Sequence, residues 1–196
     1  SNTLGYDVVI DMALFPREER NDIILRLIRL FQENGMEWND TMPITRTAPY
    51  VFEEDREADI ERLKERLKVQ SYTSVEYTIE HIIERYDLAS YSPEEQRLIA
   101  GVRNEMELRG FSIEVPHTCA SDVGIDMVLT IKGRGYQLAG VDIRESARRQ
   151  FDQIDIAPHI IGRTGLLSPE EWEKVKNADK GYQMDDIIGK FGIELA

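Results

Sequence analysis

The sequence predicts an α/β chain of the α+β kind, in which a mixed sheet flanked by helices follows a mostly helical amino-terminal region. Three observations carry that expectation. Apolar residues recur at helical spacing in four segments before Gly110, the period switches to alternation beyond Gly110, and one alternating run, Tyr6 to Phe15, precedes all the helices. With 196 residues and 41% hydrophobic content, the chain suits one globular domain, or one domain with a sizeable helical appendage. The change of period divides it into a mostly helical region, 1–90, with one strand, and a sheet-bearing core, 91–196.

In YDVVIDMALF, Val8, Ile10, Met12 and Leu14 fall on one side of an extended chain, the period of a half-buried strand. After Pro16, EERNDIILRLIRLFQENG places Ile24, Leu27, Ile28 and Phe31 at helical spacing, with acids in the first turn and a stop at Asn34-Gly35. Two prolines and polar breaks make 36–54 a loop, with a short strand at Tyr50 to Phe52. From Asp55 to Val69 acids and bases interleave around a narrow stripe of Ile60, Leu63 and Leu67, which predicts a surface helix. Ser74 caps a helix carrying Val75, Ile79, Ile82, Ile83 and Tyr86, with a strand over 74–79 as the alternative. SPEEQRLIAGVRNEMELRG opens with serine, proline and two glutamates and closes on Gly110, the start and stop signals of a helix.

Beyond Gly110, FSIEV and GIDMVLTI alternate, KGRG is a turn signal and YQLAGVDI is an apolar run. They predict three short strands, the last two forming a hairpin. ESARRQFDQI predicts a helix, His159 to Ile161 a fourth strand, Ser168 to Val175 a capped helix, and Met184 to Phe191 a last short helix.

Composition narrows the function classes. A single cysteine, Cys119, excludes an intrachain disulfide and points to a reducing compartment, with a cytoplasmic location as the simplest expectation. No run approaches a membrane span, and no secretory leader pattern is expected at the start. A net charge of −13 disfavours non-specific coating of nucleic acid. Residues 1–90 carry 19 acids and 11 bases, residues 91–196 carry 18 and 13. Within the second half, Lys132, Arg134, Arg144, Arg148 and Arg149 face only Asp142 and Glu145, a modest basic patch that also reads as solvated loop and helix charge.

The order of elements over 92–152 carries Gly110-Phe111 after a helix, Gly124-Ile125-Asp126 at a strand start and Asp142-Ile143-Arg144 at a strand end. This pattern resembles the restriction-endonuclease-like, or PD-(D/E)xK, nuclease core found in Holliday-junction resolvases and Mrr-like restriction enzymes. The resemblance covers about a third of the chain and implies a restriction-endonuclease-like mixed sheet flanked by helices. It implies a Mg2+ or Mn2+ ion held by Asp126 and Asp142, with Glu95 as a further ligand, and hydrolysis of DNA or RNA phosphodiester bonds. Arg144 stands where the family has lysine. A guanidinium stays protonated and cannot act as a base, so its implied role is to hold phosphate.

Plainer readings stand beside this one. Asp126 can simply start a strand from a turn, and Asp142 with Arg144 can be a structural ion pair without metal. The arginine and the acidity also suit a catalytically inactive nuclease-like interaction module in a nucleic-acid-processing or defence system, or an acidic inhibitor of a basic partner. The amphipathic helices of 1–90 leave room for a homodimer or another protein partner. His117 reads as a structural histidine, Cys119 has no geometry for a nucleophile, and no Gly-x-Ser-x-Gly elbow occurs.

Overall fold

A computed structural model describes residues 2–149, 164–166 and 187–189. The chain divides into two compact units, Asn2–Arg148 and a second made of Ser1 with Arg149–Ala196. The first unit is a mixed α/β assembly. Among the described residues its elements run β1 (Asn2–Ile10), α1 (Arg20–Glu33), α2 (Glu57–Leu67), α3 (Val75–Tyr86), α4 (Pro93–Leu108), β2 (His117–Ala120), α5 (Ile125–Gly133) and β3 (Val141–Arg149). In the second unit β4 (Thr164–Leu166) pairs antiparallel with β5 (Ile187–Gly189), Gly165 opposite Ile188.

The sheet order is β2-β1-β3, with β1 in the centre. Val8, Val9 and Ile10 are all buried, so successive side chains of β1, which point to opposite faces of the sheet, are covered on both. β1 and β2 run antiparallel, Val8 opposite Ala120 and Ile10 opposite His117, with an irregular step between Val8 and Val9. The strand predicted to reach Phe15 stops at Ile10. There the Asp11 side chain accepts the Ala13 N–H at 3.0 Å and turns the chain into a short 3-10 segment, Met12–Leu14.

α1 buries Ile23, Ile24, Leu27, Ile28, Leu30 and Phe31 and packs on α4; α3 also packs on α4, and α2 on α3. The expected start signals are present. Ser74 accepts the Tyr77 N–H at 3.4 Å, and Ser92 with Glu95 forms a reciprocal capping box with Pro93 in the first turn. In the loop between α1 and α2, the expected strand at 50–52 is reduced to one antiparallel bridge, Ile44 to Phe52.

The carboxyl-terminal half of this unit departs from expectation. FSIEV is no strand: Ser112 and Val115 exchange backbone hydrogen bonds at 3.1 and 3.2 Å, a tight turn before β2. GIDMVLTI is the helix α5, whose buried residues Met127, Val128 and Ile131 follow the helical period, so the predicted hairpin over 124–144 does not form. The helix predicted from Glu145 begins instead as β3, which continues to Arg149. Ile187–Gly189, within the predicted final helix, is β5. The strand at 159–161 and the helix at 168–175 lie outside the described residues. A mixed α/β class is thus what the chain adopts, without the restriction-endonuclease-like core.

Gly140 shows how tightly β3 is led into the sheet. Its φ is +86°, its carbonyl accepts the Asp11 N–H at 2.8 Å, and a Cβ there would lie 2.8 Å from the Phe15 Cα. Gly140→Ala is therefore expected to destabilise the protein by about 2 kcal/mol or more, read as a lower urea midpoint at unchanged slope. A midpoint equal to that of the wild type would show that this approach is not required.

Candidate functional site

α4 carries the chain's least typical pattern. Arg97, Gly101, Asn104 and Glu105 fall at i, i+4, i+7 and i+8, one stripe of the helix, and Arg97, Asn104 and Glu105 are all buried. Arg97, Gly101 and Glu105 face the loop between α1 and α2, while Asn104 accepts from Arg66 of α2. Arg97 grips Asp40 with both terminal nitrogens, at 2.8 and 3.2 Å, and its Nε and Nη2 donate to the Ile44 carbonyl at 3.1 and 2.7 Å. The exposures of the two side chains are 6% and 0%. Gly101 makes the approach possible, because a Cβ there would overlap the Asp40 carboxylate.

One turn further along, Glu105 accepts from both the N–H and the hydroxyl of Thr41 and from Arg109 Nε. Burial alone would raise its pKa. The Thr41 and Arg109 hydrogen bonds outweigh burial and hold it below the ordinary value. From the sheet side, the Asn39 side chain donates to the Thr118 carbonyl at 2.8 Å, and the Asn39 N–H to the Cys119 carbonyl at 2.7 Å. Arg46 lies over the Trp38 ring, 4.5 Å from its centroid. The result is a loop fixed by buried polar contacts, a scaffold rather than a reaction centre.

His117 lies beneath this layer at 1% exposure, with neither ring nitrogen hydrogen-bonded, edge-on to Phe111 at 6.2 Å. Burial foremost, opposed by Glu105 and reinforced by Arg109, lowers its pKa from 6.5 to about 4. Cys119 is fully buried, and burial raises its thiol well above the ordinary value. Neither is placed as a nucleophile or a base toward solvent.

The residues selected from sequence are not assembled by a hairpin. Asp126 sits exposed in the first turn of α5, where the helix dipole favours a carboxylate. Asp142 is exposed on β3 and accepts the next residue's N–H at 2.8 Å. Arg144 is exposed on the same side of β3, Val141 and Ile143 being the half-buried residues between which they alternate. Glu95 closes the capping box of α4 and reaches Arg29 at 3.7 Å. Among the described residues no group of three histidine, cysteine or acidic side chains is placed to hold a metal ion. Also among them, no helix is long and apolar enough to cross a membrane.

Apolar side chains do reach the surface. On α5, Ile125 and Leu129 stand one turn apart at 56% and 63% exposure, opposite the buried face, and Tyr136 follows in the 3-10 turn after it. The whole sequence, residues 1–196, matches the family described as the Penicillin-binding Protein dimerisation domain. The chain belongs to this family. Two solved structures of penicillin-binding protein 2B from Streptococcus pneumoniae, strains 5204 and R6, are similar at 16% identity, with TM-scores of 0.38 and 0.34. They cover 100% and 99% of this chain, which spans 31% and 30% of theirs. A comparison with curated proteins finds no match.

Membership in this family overturns the nuclease resemblance, and with it the active nuclease, the inactive nuclease-like module, the acidic inhibitor and the nucleic-acid partner. The physical reason is visible in the fold. Three short motifs fit the nuclease pattern only if 124–144 is a hairpin, and that segment begins as a helix. A protein partner or homodimer is what the family's description supports. Sequence reasoning passed over the polar stripe of α4; its signal was two charged residues, a glycine and an asparagine at helical spacing, next to the apolar run Leu98, Ile99, Ala100 and Val102.

Two measurements test the scaffold. Asp40→Ala leaves the Arg97 charge buried without its partner and is expected to cost about 3 kcal/mol or more in urea unfolding; a loss under about 1 kcal/mol would show the pair to be dispensable. His117 binds a proton more weakly folded than unfolded, so its stabilisation is full above pH 6.5 and lost as pH falls toward about 4. Stability should drop by about 2 kcal/mol between about pH 7 and 5, and His117→Leu should flatten that slope. An unchanged slope in the variant would assign the drop to other groups.

Proposed function

We propose that this chain is a non-catalytic association domain of a penicillin-binding protein, serving cell-wall synthesis by joining protein chains, with a second copy of itself as the partner. The observation that carries this reading is the family match over all 196 residues. The geometry supports it. The buried Arg97 and Glu105 are engaged in fixing a loop, and the reactive side chains His117 and Cys119 are sealed from solvent. Ile125 and Leu129 offer rigid apolar surface of the sort that the centre of a protein interface uses.

Sedimentation equilibrium across a dilution series tests the reading. The expected result is a reversible monomer-dimer equilibrium, weakened about tenfold by Ile125→Asp with Leu129→Asp while stability changes by under about 1 kcal/mol. A chain that remains monomeric at every concentration would overturn self-association.

A further inference from the structure

Where α1 begins beside the last turns of α4, a recess of about 110 Å3 is lined by Arg20, Arg103, Met106, Glu107 and Phe111. Its charge is unusual for a chain of net −13. Four guanidinium groups, Arg20, Arg66, Arg85 and Arg103, lie around the Glu107 carboxylate. That carboxylate is already committed: Arg85 takes both its oxygens, at 2.8 and 2.9 Å, and Arg66 approaches at 3.7 Å. Among the described residues, no ion pair reaches Arg20 or Arg103. Arg103 donates to the neutral Asn21 side chain at 2.8 Å and lies 5.1 Å from the Tyr86 ring centroid, while Arg20 lies 5.4 Å from that of Phe15. These ring contacts orient the guanidinium groups without neutralising them. Arg20 Nε is buried and has no hydrogen-bond partner. Burial, and after it the proximity of Arg20, lowers the pKa of Arg103 against the opposing pull of Tyr86 and Glu107. Two like charges held together in this way are stabilised by an anion between them.

We propose that this recess is a carboxylate-binding site, in which Arg20 and Arg103 hold the anion and Met106 and Phe111 receive the aliphatic stem that carries it, and that its occupant is an acidic side chain of a second copy of this chain. The choice of occupant rests on the association reading and on charge. Two copies at −13 repel each other, so they approach where a local excess of arginine meets the other copy's carboxylates. Bidentate pairing of guanidinium with carboxylate would fix orientation as well as contribute affinity.

The test uses the whole chain and two probes, N-acetylglutamate N-methylamide and its uncharged glutamine analogue. Nitrogen-proton NMR resonances of the arginine Nε–H groups are followed during titration. The glutamate probe should shift those of Arg20 and Arg103 saturably, the glutamine probe should not, and Arg20→Gln with Arg103→Gln should abolish the response. No saturable shift in the wild-type protein overturns the site, even if the variant fails to fold. In sedimentation, the same double variant should weaken self-association about tenfold; unchanged association overturns the second copy as occupant. A wild-type chain that binds the probe yet never self-associates would sink the association reading and this occupant while leaving the carboxylate site in place.

Discussion

The Arg97–Asp40 pair is the constraint from which much of the first unit follows. A guanidinium and a carboxylate withdrawn from water are costly unless each is fully engaged, and here the pair meets that condition by drawing the Ile44 and Thr45 carbonyls onto the same arginine. The loop between α1 and α2 therefore has little freedom to lie elsewhere. Its Asn39 is stitched to β2, its Thr41 to Glu105 and its Arg56 to Asp59 and the Thr41 carbonyl. Gly101 is the geometric condition for all of it, since any side chain there would occupy the Asp40 carboxylate's place.

Polar contacts of this sort act on specificity more than on gross stability. The apolar faces of α1 and α4 would attract each other in several registers, but a buried arginine that must find one carboxylate and two carbonyls tolerates few of them. Surface pairs such as Arg29 with Glu94 add orientation at small energetic weight. A firm polar layer thus ties α4 to the loop between α1 and α2, and that loop to β2, while Ile125 and Leu129 of α5 remain exposed.

What could be read from sequence was what local chemistry alone decides. α1, α3 and α4 announced themselves through apolar spacing and terminal signals, because serine caps and a proline in the first turn act within a few residues. α5 was misread because Ile125, Met127, Leu129 and Ile131 alternate while Met127, Val128 and Ile131 share a helical face, and nine residues are too few to separate the two periods. At Glu145 to Arg149 the segment has good helix formers, yet β1 supplies a sheet neighbour, a tertiary circumstance invisible locally. The nuclease-like motif failed for the same reason. Asp126, Asp142 and Arg144 were chosen for chemistry that required adjacent strands, whereas the family match draws on the full length of the chain.

Cys119 lies in β2, its carbonyl held by the Asn39 N–H of the polar layer, and is the chain's single sulfhydryl. Being shut away from water and disfavoured as a thiolate, it reacts with an alkylating reagent only when the strand around it comes apart. Nature has thereby installed one chemical clock in the middle of the domain. The rate at which that sulfur becomes labelled reports how often β2 detaches, whether the protein is isolated or joined to another chain, with no probe having to be introduced.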